Sequence, residues 1–435
     1  MRLALPALAI AALGSAAAAQ PNSRLATELE RRIAAIEPKV VAWRRDIHQH
    51  PELSNRETRT AALVADHLRK LGMEVRTQVA ITGVVGVLRG GKPGPVIALR
   101  ADMDALPVTE EVDLPFKSTV RTTFNGQEVG VMHACGHDNH VAILMGIAEV
   151  LSGMKADLPG TVVFLFQPDE EGMPGERGGA GVMIEQGALK DPKVEAVFGL
   201  HVFPFETGTV AVRGGGLMAS SDTWKIIIRG RQTHGAVPWG GVDPITIAGQ
   251  LQSSMQSIVS RQVDLTTTPA ILTTGYIRGG IRFNIIPDSV EMMGTIRTFD
   301  EVQRDSIHAK LRRMATSIAE GSGAEAVVTI ERGNPVTYND PALTTRVMPS
   351  LQRAVGASKV IEARPTTTAE DFSLFQKEVP GVFFFLGVTP PGSDPAKVAP
   401  NHSPKFFADE KALVPGMKAL GAIAIDYLAG GKVAQ

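Results

Sequence analysis

The stretch VVFLFQPDEEG (residues 162–172) joins five consecutive apolar residues to a loop that contains three consecutive carboxylates. A short apolar run that ends at Pro and Gly is typical of a strand buried on both faces. Helical spacing of apolar residues lies on either side of it, at 141–151 and 179–186. This alternation predicts an α/β fold, in which a largely parallel sheet carries helices on both faces.

The same alternation extends along most of the chain, and it changes in only one region. Residues 222–331 are predicted to form strand, helix, strand, strand, helix and strand, which is the order of a ferredoxin-like domain. Before and after this region the α/β pattern holds. The sequence therefore predicts a discontinuous main domain, 20–215 and 333–435, into which a smaller domain, 216–332, is inserted.

Composition excludes several classes of protein. Of the 435 residues, 44% are hydrophobic and 20% are charged, which is ordinary for a globular protein and excludes disorder, collagen or coiled coil as the main structure. The 44 basic and 45 acidic residues give a formal net charge of −1. Without a large basic face, binding of nucleic acid is not expected.

The first nineteen residues have the pattern of a cleavable signal peptide. Arg2 is followed by an apolar stretch over 3–13 and by Ala17-Ala18-Ala19, an A-x-A cleavage pattern. The apolar stretch is shorter than the ~20 residues that a membrane span needs. We therefore expect a secreted or periplasmic protein that has no membrane segment after the signal is cleaved.

The densest group of metal-ligand side chains is MHACGHDNH (132–140), which holds three of the ten histidines and the single cysteine. Thiolate and imidazole are preferred ligands of zinc-like divalent ions. Cys135 and His137 are two residues apart, so both side chains can point the same way in an extended turn. The alternative is a buried structural cysteine beside surface histidines.

Two aspartates follow the predicted strand that ends near Leu99. The carboxyl ends of strands carry the active sites of open α/β sheets, which makes Asp102 and Asp104 candidates for the site. They could bind a metal ion directly or hold a ligand histidine in place. The second role is the one expected of Asp104. The alternative is that they only cap the turn before Pro107.

The acidic loop that follows residue 166 also indicates a cation site. Adjacent carboxylates repel one another, and a nearby dication would remove that cost. One carboxylate can bind the ion while its neighbour acts as general base, but adjacency alone does not decide between Glu170 and Glu171. His201 also follows a buried run, and His402 lies far away in N-H-S-P. The alternatives are a solvated acidic loop and two structural histidines.

Taken together, these motifs resemble a known family of dinuclear metal-dependent amidohydrolases and carboxypeptidases. The family includes hippurate hydrolase, aminoacylase-like enzymes and auxin-conjugate hydrolases. The resemblance covers nearly all of the chain after residue 19. It rests on motifs that occur in this order: RRDIHQHPEL (44–53), RADMDALP (100–107), MHACGHD (132–138), EEG (170–172), GLH (199–201), THGAVP (233–238), NIIPD (284–288), AEDF (369–372) and NHSP (401–404).

The resemblance implies a cofactor of two divalent ions per chain, zinc or manganese, in the main domain. It also implies that Glu170 is the catalytic base, and that the inserted domain acts as a lid and as a surface for forming a homodimer. From the lid, His234 would contact the carbonyl or carboxylate of the substrate, and Asn284 would make a further contact. The implied metal ligands are Cys135, His137, Glu171, His201 and His402.

The function that follows is hydrolysis of the amide bond of N-acyl amino acids, with Glu170 as general base on a metal-activated water. A dipeptidase on the same scaffold is the second hypothesis, because both substrates present an amide and a carboxylate. A third is an inactive ligand-binding homologue. Glu170 counts against it, since a binding site needs no carboxylate beyond the ligand Glu171.

Overall fold

The computed structural model describes residues 23–430, so the predicted signal peptide, 1–19, lies outside the described residues. The helices in this range are α1 (Ser23–Gln49), α2 (Thr58–Lys70), α3 (His137–Ser152), α4 (Gly179–Glu185), α5 (Pro244–Gln262), α6 (Glu301–Gly321), α7 (Pro341–Val355), α8 (Phe372–Glu378) and α9 (Leu413–Gly430). The strands are β1 (Glu74–Val79), β2 (Gly83–Arg89), β3 (Lys92–Asp102), β4 (Arg121–Phe124), β5 (Gln127–Gly130), β6 (Pro159–Gln167), β7 (Ala196–Glu206), β8 (Val210–Val212), β9 (Gly215–Met218), β10 (Asp222–Arg229), β11 (Thr233–His234), β12 (Ala270–Gly279), β13 (Ile285–Ile286), β14 (Ser289–Thr298), β15 (Glu325–Glu331), β16 (Thr337–Asn339), β17 (Val360–Glu362) and β18 (Gly381–Thr389).

The main sheet has eight strands in the order β1-β2-β6-β3-β7-β18-β8-β17. Its centre, β6-β3-β7-β18, is parallel, as the buried runs predict. The sheet as a whole is mixed, which corrects the expectation of a largely parallel sheet. The pairs β1-β2, β2-β6 and β18-β8 are antiparallel. A short turn joins β1 to β2, and such a turn can connect only antiparallel neighbours.

Helices cover both faces of this sheet. Along β6, Phe164 and Phe166 face a core shared with α1, α3 and α9, whereas Val163 and Leu165 face a second core shared with α4 and α8. All four side chains are fully buried. Because successive strand residues point to opposite faces, a strand covered on both sides must be apolar at every position. This is why its sequence forms an unbroken apolar run.

The last helix, α9, is long and strongly apolar. Residues 410–430 are long and apolar enough to cross a membrane, but 72% of the most apolar window is buried within the protein. The helix packs against α1, α3 and α7. It is therefore explained as a core helix.

The inserted region forms a second sheet of four antiparallel strands in the order β12-β14-β10-β15. Helices α5 and α6 pack against one face, around a core that includes the fully buried Trp224. The predicted single strand over 285–298 is wrong. It is divided into β13 and β14 by Pro287 and Asp288, since proline cannot donate a ladder hydrogen bond.

The two connections to the inserted region lie side by side. Strand β9 pairs antiparallel with β16, and Met218 is opposite Thr337. Just beyond them, the buried carboxylate of Asp222 accepts a hydrogen bond from Arg304 at 2.8 Å and one from the backbone N–H of Gly333 at 3.2 Å. Asp222 and Gly333, which lie near the two ends of the inserted region, are thus held together.

Candidate metal centre

Most of the predicted site residues converge at one edge of the main sheet. Asp102 ends β3, the acidic loop follows β6, His201 lies in β7, and His137 begins α3. The strands β6, β3 and β7 are parallel neighbours, so their carboxyl ends meet at this edge. Side chains that are distant in the sequence therefore lie within a few ångströms of one another.

Two groups of three ligand-type side chains share one member, Cys135. In each group the candidate ligand atoms all lie within 4.8 Å of one another. The thiol Sγ lies 3.2 Å from Nε2 of His201 and 3.3 Å from Nε2 of His402, and His402 Nε2 lies 3.2 Å from Oε1 of Glu171. The groups are Cys135, His137 and His201, and Cys135, Glu171 and His402.

Backbone carbonyls fix which nitrogen of two histidines faces these groups. Nδ1 of His137 donates to the carbonyl of Asp104 at 2.8 Å, and Nδ1 of His201 donates to the carbonyl of Val202 at 2.7 Å. The lone pair of each neutral ring is then on Nε2. His137 Nε2 is buried and has no hydrogen-bond partner in the described part of the chain. Both rings therefore present Nε2 as the donor atom for a cation, and that of His201 already lies 3.2 Å from the Cys135 thiol.

The electrostatics of the cluster also fit a cation. Burial, with the negative charges of Glu171 and Glu170, raises the pKa of the Cys135 thiol well above its usual value, so a thiolate here needs positive charge beside it. Burial opposes protonation of His137, but Asp102 and Asp104 outweigh it and raise the pKa to about 10. A bound dication would replace that proton and stabilise the thiolate. The residues present therefore fit two divalent ions.

The predicted support residue Asp104 lies behind the cluster. Its Oδ2 accepts a hydrogen bond from Ser54 Oγ at 2.7 Å and one from the backbone N–H of Glu171 at 2.9 Å. Its Oδ1 lies 3.3 Å from Nδ1 of His137. One carboxylate thus contacts two predicted ligand positions and holds them relative to each other.

Asn401, for which no role is predicted from the sequence, is also part of the site. Its Nδ2 donates to the carbonyl of Cys135 at 2.9 Å and to that of Val202 at 3.2 Å. The next residue, His402, has a φ of 70°, in the left-handed region. These two hydrogen bonds join the N-H-S-P loop to the loop before α3. They place His402 although its side chain is 55% exposed.

The other two histidines of 132–140 differ from His137. His140 accepts a hydrogen bond from Val202 N–H at 2.8 Å through Nε2, and its Nδ1 donates to Asp102. Both of its ring nitrogens are therefore used within the protein. His140 and Asp102 form a hydrogen-bond network, although they also lie close enough to His137 for a third group of possible ligands. His133 is buried, and neither ring nitrogen has a hydrogen-bond partner in the described residues.

A buried arginine, for which no role is predicted from the sequence, joins this network to the A-E-D-F motif. Arg100 is 1% exposed and donates to Gln167 at 2.8 Å, Asp102 at 2.7 Å, Glu370 at 2.8 Å and Asp371 at 2.9 Å. The available signal was a charged residue inside an apolar strand, in the motif RADMDALP. Such a residue is rarely buried unless it is paired.

The side chain of Glu170, the predicted base, is 9% exposed and lies beside the first donor group. Its Oε2 is 4.0 Å from Nε2 of His137. Burial, followed by the charge of Glu370, raises its pKa well above the usual value. A carboxylate in this place has an unusually high affinity for a proton, which suits a general base.

His234 and Asn284 lie together, but away from the donor groups. His234 in β11 is opposite Ile285 in β13, and the backbone N–H of Gly235 donates to the carbonyl of Asn284 at 2.8 Å. His234 is exposed, and within residues 23–430 no hydrogen bond or ion pair connects it to Cys135 or the other donors. The structure therefore brings His234 and Asn284 together, and within the described residues no hydrogen bond joins either of them to the donor groups.

Comparison with known proteins identifies the family. The model of peptidase family M20/M25/M40 matches residues 98–426. The chain belongs to this peptidase family. It is 43% identical over 406 residues to Thermostable carboxypeptidase 1 of Saccharolobus solfataricus, covering 93% of this chain and 99% of the relative. N-acetylcysteine deacetylase of Bacillus subtilis is 36% identical over 396 residues, which cover 91% of this chain and 98% of the deacetylase.

A solved member of the M20 family has a similar fold. A Bacillus subtilis protein described as a dinuclear metal binding peptidase aligns with a TM-score of 0.76 and 34% identity, over 91% of this chain and 99% of that chain. The predicted resemblance and the prediction of a hydrolase are confirmed. The predicted cofactor of divalent metal ions is confirmed by membership of the M20 family together with the buried donor groups.

Proposed function

We propose that this M20 protein hydrolyses the amide bond of N-acyl amino acids. The observation that carries the proposal is the position of Glu170, a carboxylate beside two donor groups that share Cys135. A site that only bound metal would not need it. The N-acyl substrate class is supported by the similarity to a protein named as a deacetylase of N-acetylcysteine.

In this proposal the two donor groups, which have Cys135 in common, would hold the divalent ions. Mixed sulfur, nitrogen and oxygen ligands suit zinc, and manganese accepts the carboxylate and imidazole donors. The ions would polarise the amide carbonyl and lower the pKa of a water molecule. Asp104 and Asn401 would keep the donors in position.

The protein's own groups then move the proton. Glu170 takes a proton from the attacking water and later delivers it to the leaving nitrogen, as a single positioned carboxylate can in both steps. Glu171 remains a metal ligand. The choice between the two glutamates is supported by geometry, since Oε1 of Glu171 lies 3.2 Å from His402 Nε2 in the second donor group.

We further propose that the inserted region, 216–332, is a ferredoxin-like lid that brings His234 and Asn284 to the substrate. Its strand order and its two helices are those of a ferredoxin-like domain. The lid would rotate relative to the main domain at the paired strands β9 and β16. Gly333, which follows the lid, is held to it by Asp222 and would move with it. A homodimer formed through the lid would offer His234 of one protomer to the other. Export through the signal peptide 1–19 remains part of the proposal.

A peptidase is the second candidate, and one observation favours it. The relative with 43% identity is named a carboxypeptidase. A C-terminal amino acid and an N-acyl amino acid share the amide and the carboxylate, so the same centre can act on both. The distinction lies in the group on the acyl side of the amide.

One experiment tests both candidates. The protein without residues 1–19 is reconstituted with zinc or manganese and assayed against hippurate, N-acetyl amino acids, free dipeptides and N-blocked dipeptides. Higher kcat/KM for hippurate and N-acetyl amino acids supports the proposal. Preference for dipeptides would replace it with the peptidase. Absence of turnover on all of them, with two ions bound per chain, would favour the ligand-binding homologue.

A further inference from the structure

A cavity of about 480 Å³ lies where the main domain meets the two connections to the inserted region. Its volume is within the range of roughly 300–1,000 Å³ that is typical of sites for small molecules. The walls come from β8, β17, α7 and the segment that leads from β8 to β9. None of the five candidate metal ligands lines it. The cavity is therefore separate from the metal centre, and its own side chains decide what it can bind.

Arg213 lines this cavity and has no partner for its charge. The residue is half-buried, and its Nε is buried without a hydrogen-bond partner among the described residues. Within residues 23–430, no carboxylate oxygen lies within 4.0 Å of its guanidinium. A buried N–H group without an acceptor is costly, so an acceptor is expected at this place. A guanidinium suits a carboxylate, because the two can form parallel hydrogen bonds.

Glu362 brings the opposite charge to the same cavity. It is exposed at the end of β17, and it lies opposite Val212, the residue before Arg213, in the parallel pair of β17 with β8. Neighbouring strands are ~4.8 Å apart, so the two charged side chains start from adjacent points of the backbone. They form no ion pair, since their nitrogen and oxygen atoms are more than 4.0 Å apart. The cavity thus has one positive and one negative charge with a gap between them.

Apolar side chains form one wall of the cavity. Helix α7 packs against β8 and β17, and Met348 of α7 and Val360 of β17 both line the cavity and pack against the main core. Burial of an apolar group against such a wall is favourable. The site therefore suits a molecule that has a charged end and an apolar end.

The charge balance narrows the class of molecule. A phosphate or another dianion would be attracted by Arg213 but repelled by Glu362, and an amine alone would meet the reverse. A free α-amino acid carries a carboxylate and an ammonium group on one carbon atom. Its charged end can therefore bridge two opposite charges that are too far apart to pair with each other.

We propose that this cavity is a binding site for a free α-amino acid with an apolar side chain. The carboxylate binds Arg213, the ammonium group binds Glu362, and the side chain packs against Met348 and Val360. The proposed hydrolysis would release a ligand of this class, but the binding site itself does not rest on that proposal.

The cavity touches both connections to the inserted region. Gly214 and Gly215 line it where β9 begins, and Pro341 lines it just after β16. The carbonyl of Arg213 accepts a hydrogen bond from Nδ2 of Asn339 at 2.9 Å, which joins the two connections beside the cavity. A bound amino acid would thus contact the chain both where it enters and where it leaves the inserted region.

Calorimetric titration of L-phenylalanine into the metal-loaded protein without residues 1–19 tests the proposal. An amino acid can also bind the metal ions, so the cavity is identified by what Arg213→Gln removes. We expect wild type to bind one equivalent at the cavity with a Kd of about 1 mM or lower. In Arg213→Gln this equivalent should bind about 10- to 100-fold more weakly, because charge-assisted hydrogen bonds are lost while the metal centre is unchanged.

Arg261→Gln is the matched control. Arg261 is an exposed arginine in α5 that does not line the cavity, so this variant should bind phenylalanine as wild type does. Two related ligands test the two charges separately: 3-phenylpropanoate lacks the ammonium group, and 2-phenylethylamine lacks the carboxylate. Each should bind the cavity about 10-fold or more weakly than phenylalanine. Glu362→Gln should remove the difference between phenylalanine and 3-phenylpropanoate.

Equal binding of phenylalanine by wild type and Arg213→Gln would overturn the inference, as would a wild type that binds no phenylalanine. An equal loss of affinity in Arg213→Gln and Arg261→Gln would mean that net charge, and not the cavity, sets the affinity. If Arg213→Gln does not fold, Glu362→Gln decides, since Glu362 is exposed: unchanged affinity for phenylalanine in that variant contradicts the inference. Every readout is a binding equilibrium, so failure of the proposed hydrolysis would leave these results unaffected.

Discussion

The thiol of Cys135 lies 3.3 Å from Nε2 of His402, although 267 positions separate the two residues in the chain. The same sulfur lies 3.2 Å from Nε2 of His201. One buried atom thus belongs to both donor groups, and the N-H-S-P loop reaches it through the hydrogen bond from Asn401 to the carbonyl of Cys135.

Substitution of the shared ligand should affect both ions. We expect Cys135→Ala to lower the metal content from two equivalents per chain to less than one, because each donor group loses a member. His402→Ala removes a donor from one group only, so it should keep about one equivalent bound by the other group. Elemental analysis of protein purified without chelator measures this. Two retained ions in Cys135→Ala would show that the sulfur is not a shared ligand.

Chelation should abolish activity reversibly. We expect dialysis against a strong chelator to remove turnover of the preferred substrate, and zinc or manganese to restore it, because the ions supply carbonyl polarisation. The measurement is kcat before and after reconstitution, beside thermal unfolding to show that the apoprotein is folded. Full turnover by protein shown to be metal-free would contradict the proposed chemistry.

The two adjacent glutamates should separate into two phenotypes. We expect Glu170→Ala to keep two ions and the fold but to lose ~10²–10⁴-fold in kcat, as for removal of a general base. Glu171→Ala should lose metal, because its Oε1 belongs to the second donor group. Kinetics and metal content are measured on the same preparations. Near-normal kcat in Glu170→Ala would show that the roles are reversed.

Substitution of His234 should affect kinetics alone. His234 is exposed, so His234→Ala should leave metal content and the thermal midpoint unchanged. If the lid carries it to the substrate, kcat/KM should fall about 10-fold or more, comparable with loss of one oxyanion donor. His50→Ala is the control, because His50 is also exposed and bonds only within α1 and its end. Equal kcat/KM in the two variants would remove His234 from the active site.

Asp222 should stabilise the inserted region in a pH-dependent way. Burial opposes its ionisation, but hydrogen bonds from Arg304 and His308 outweigh it and lower the pKa to about 2. An unfolded Asp has a pKa of about 3.9, so this contribution is fully present above that value and is lost as pH falls through about 2. Asp222→Asn should cost about 2–3 kcal/mol near neutral pH, and Arg304 would keep its contact with Glu301 at 3.3 Å.

Thermal unfolding of wild type and Asp222→Asn between pH 2 and pH 7 checks this. The difference between the two midpoints should be large and constant above pH 4, and it should shrink as the pH is lowered towards 2. A difference that does not depend on pH would mean that Asp222 stabilises the fold by shape rather than by charge.

The parts of the fold that sequence could predict are those with a local pattern. The apolar run at 162–166 predicts β6 because every position along it must be buried. Antiparallel pairing at the edges, such as β18 with β8, depends on contacts between distant strands and leaves no such pattern. The division at Pro287 was readable in principle, since proline interrupts a strand ladder.

The residues of the candidate site also fall into those that the sequence could predict and those that it could not. Cys135, His137 and Glu171 carry ligand chemistry that is visible in the residue types themselves. One partner of Arg100 is Glu370, 270 positions away, and no spacing predicts that pair. The location of His234 relative to the cluster depends on how the inserted region sits, which is a property of the whole fold.

The side-by-side pairing of Met218 with Thr337 means that the inserted region enters and leaves the main domain at a single point. The two ends of the region are thus close enough for a short linker to join them. All five candidate ligands lie outside it, on the remainder of the chain. Substitutions within residues 216–332 can therefore accumulate without changing any of these five side chains.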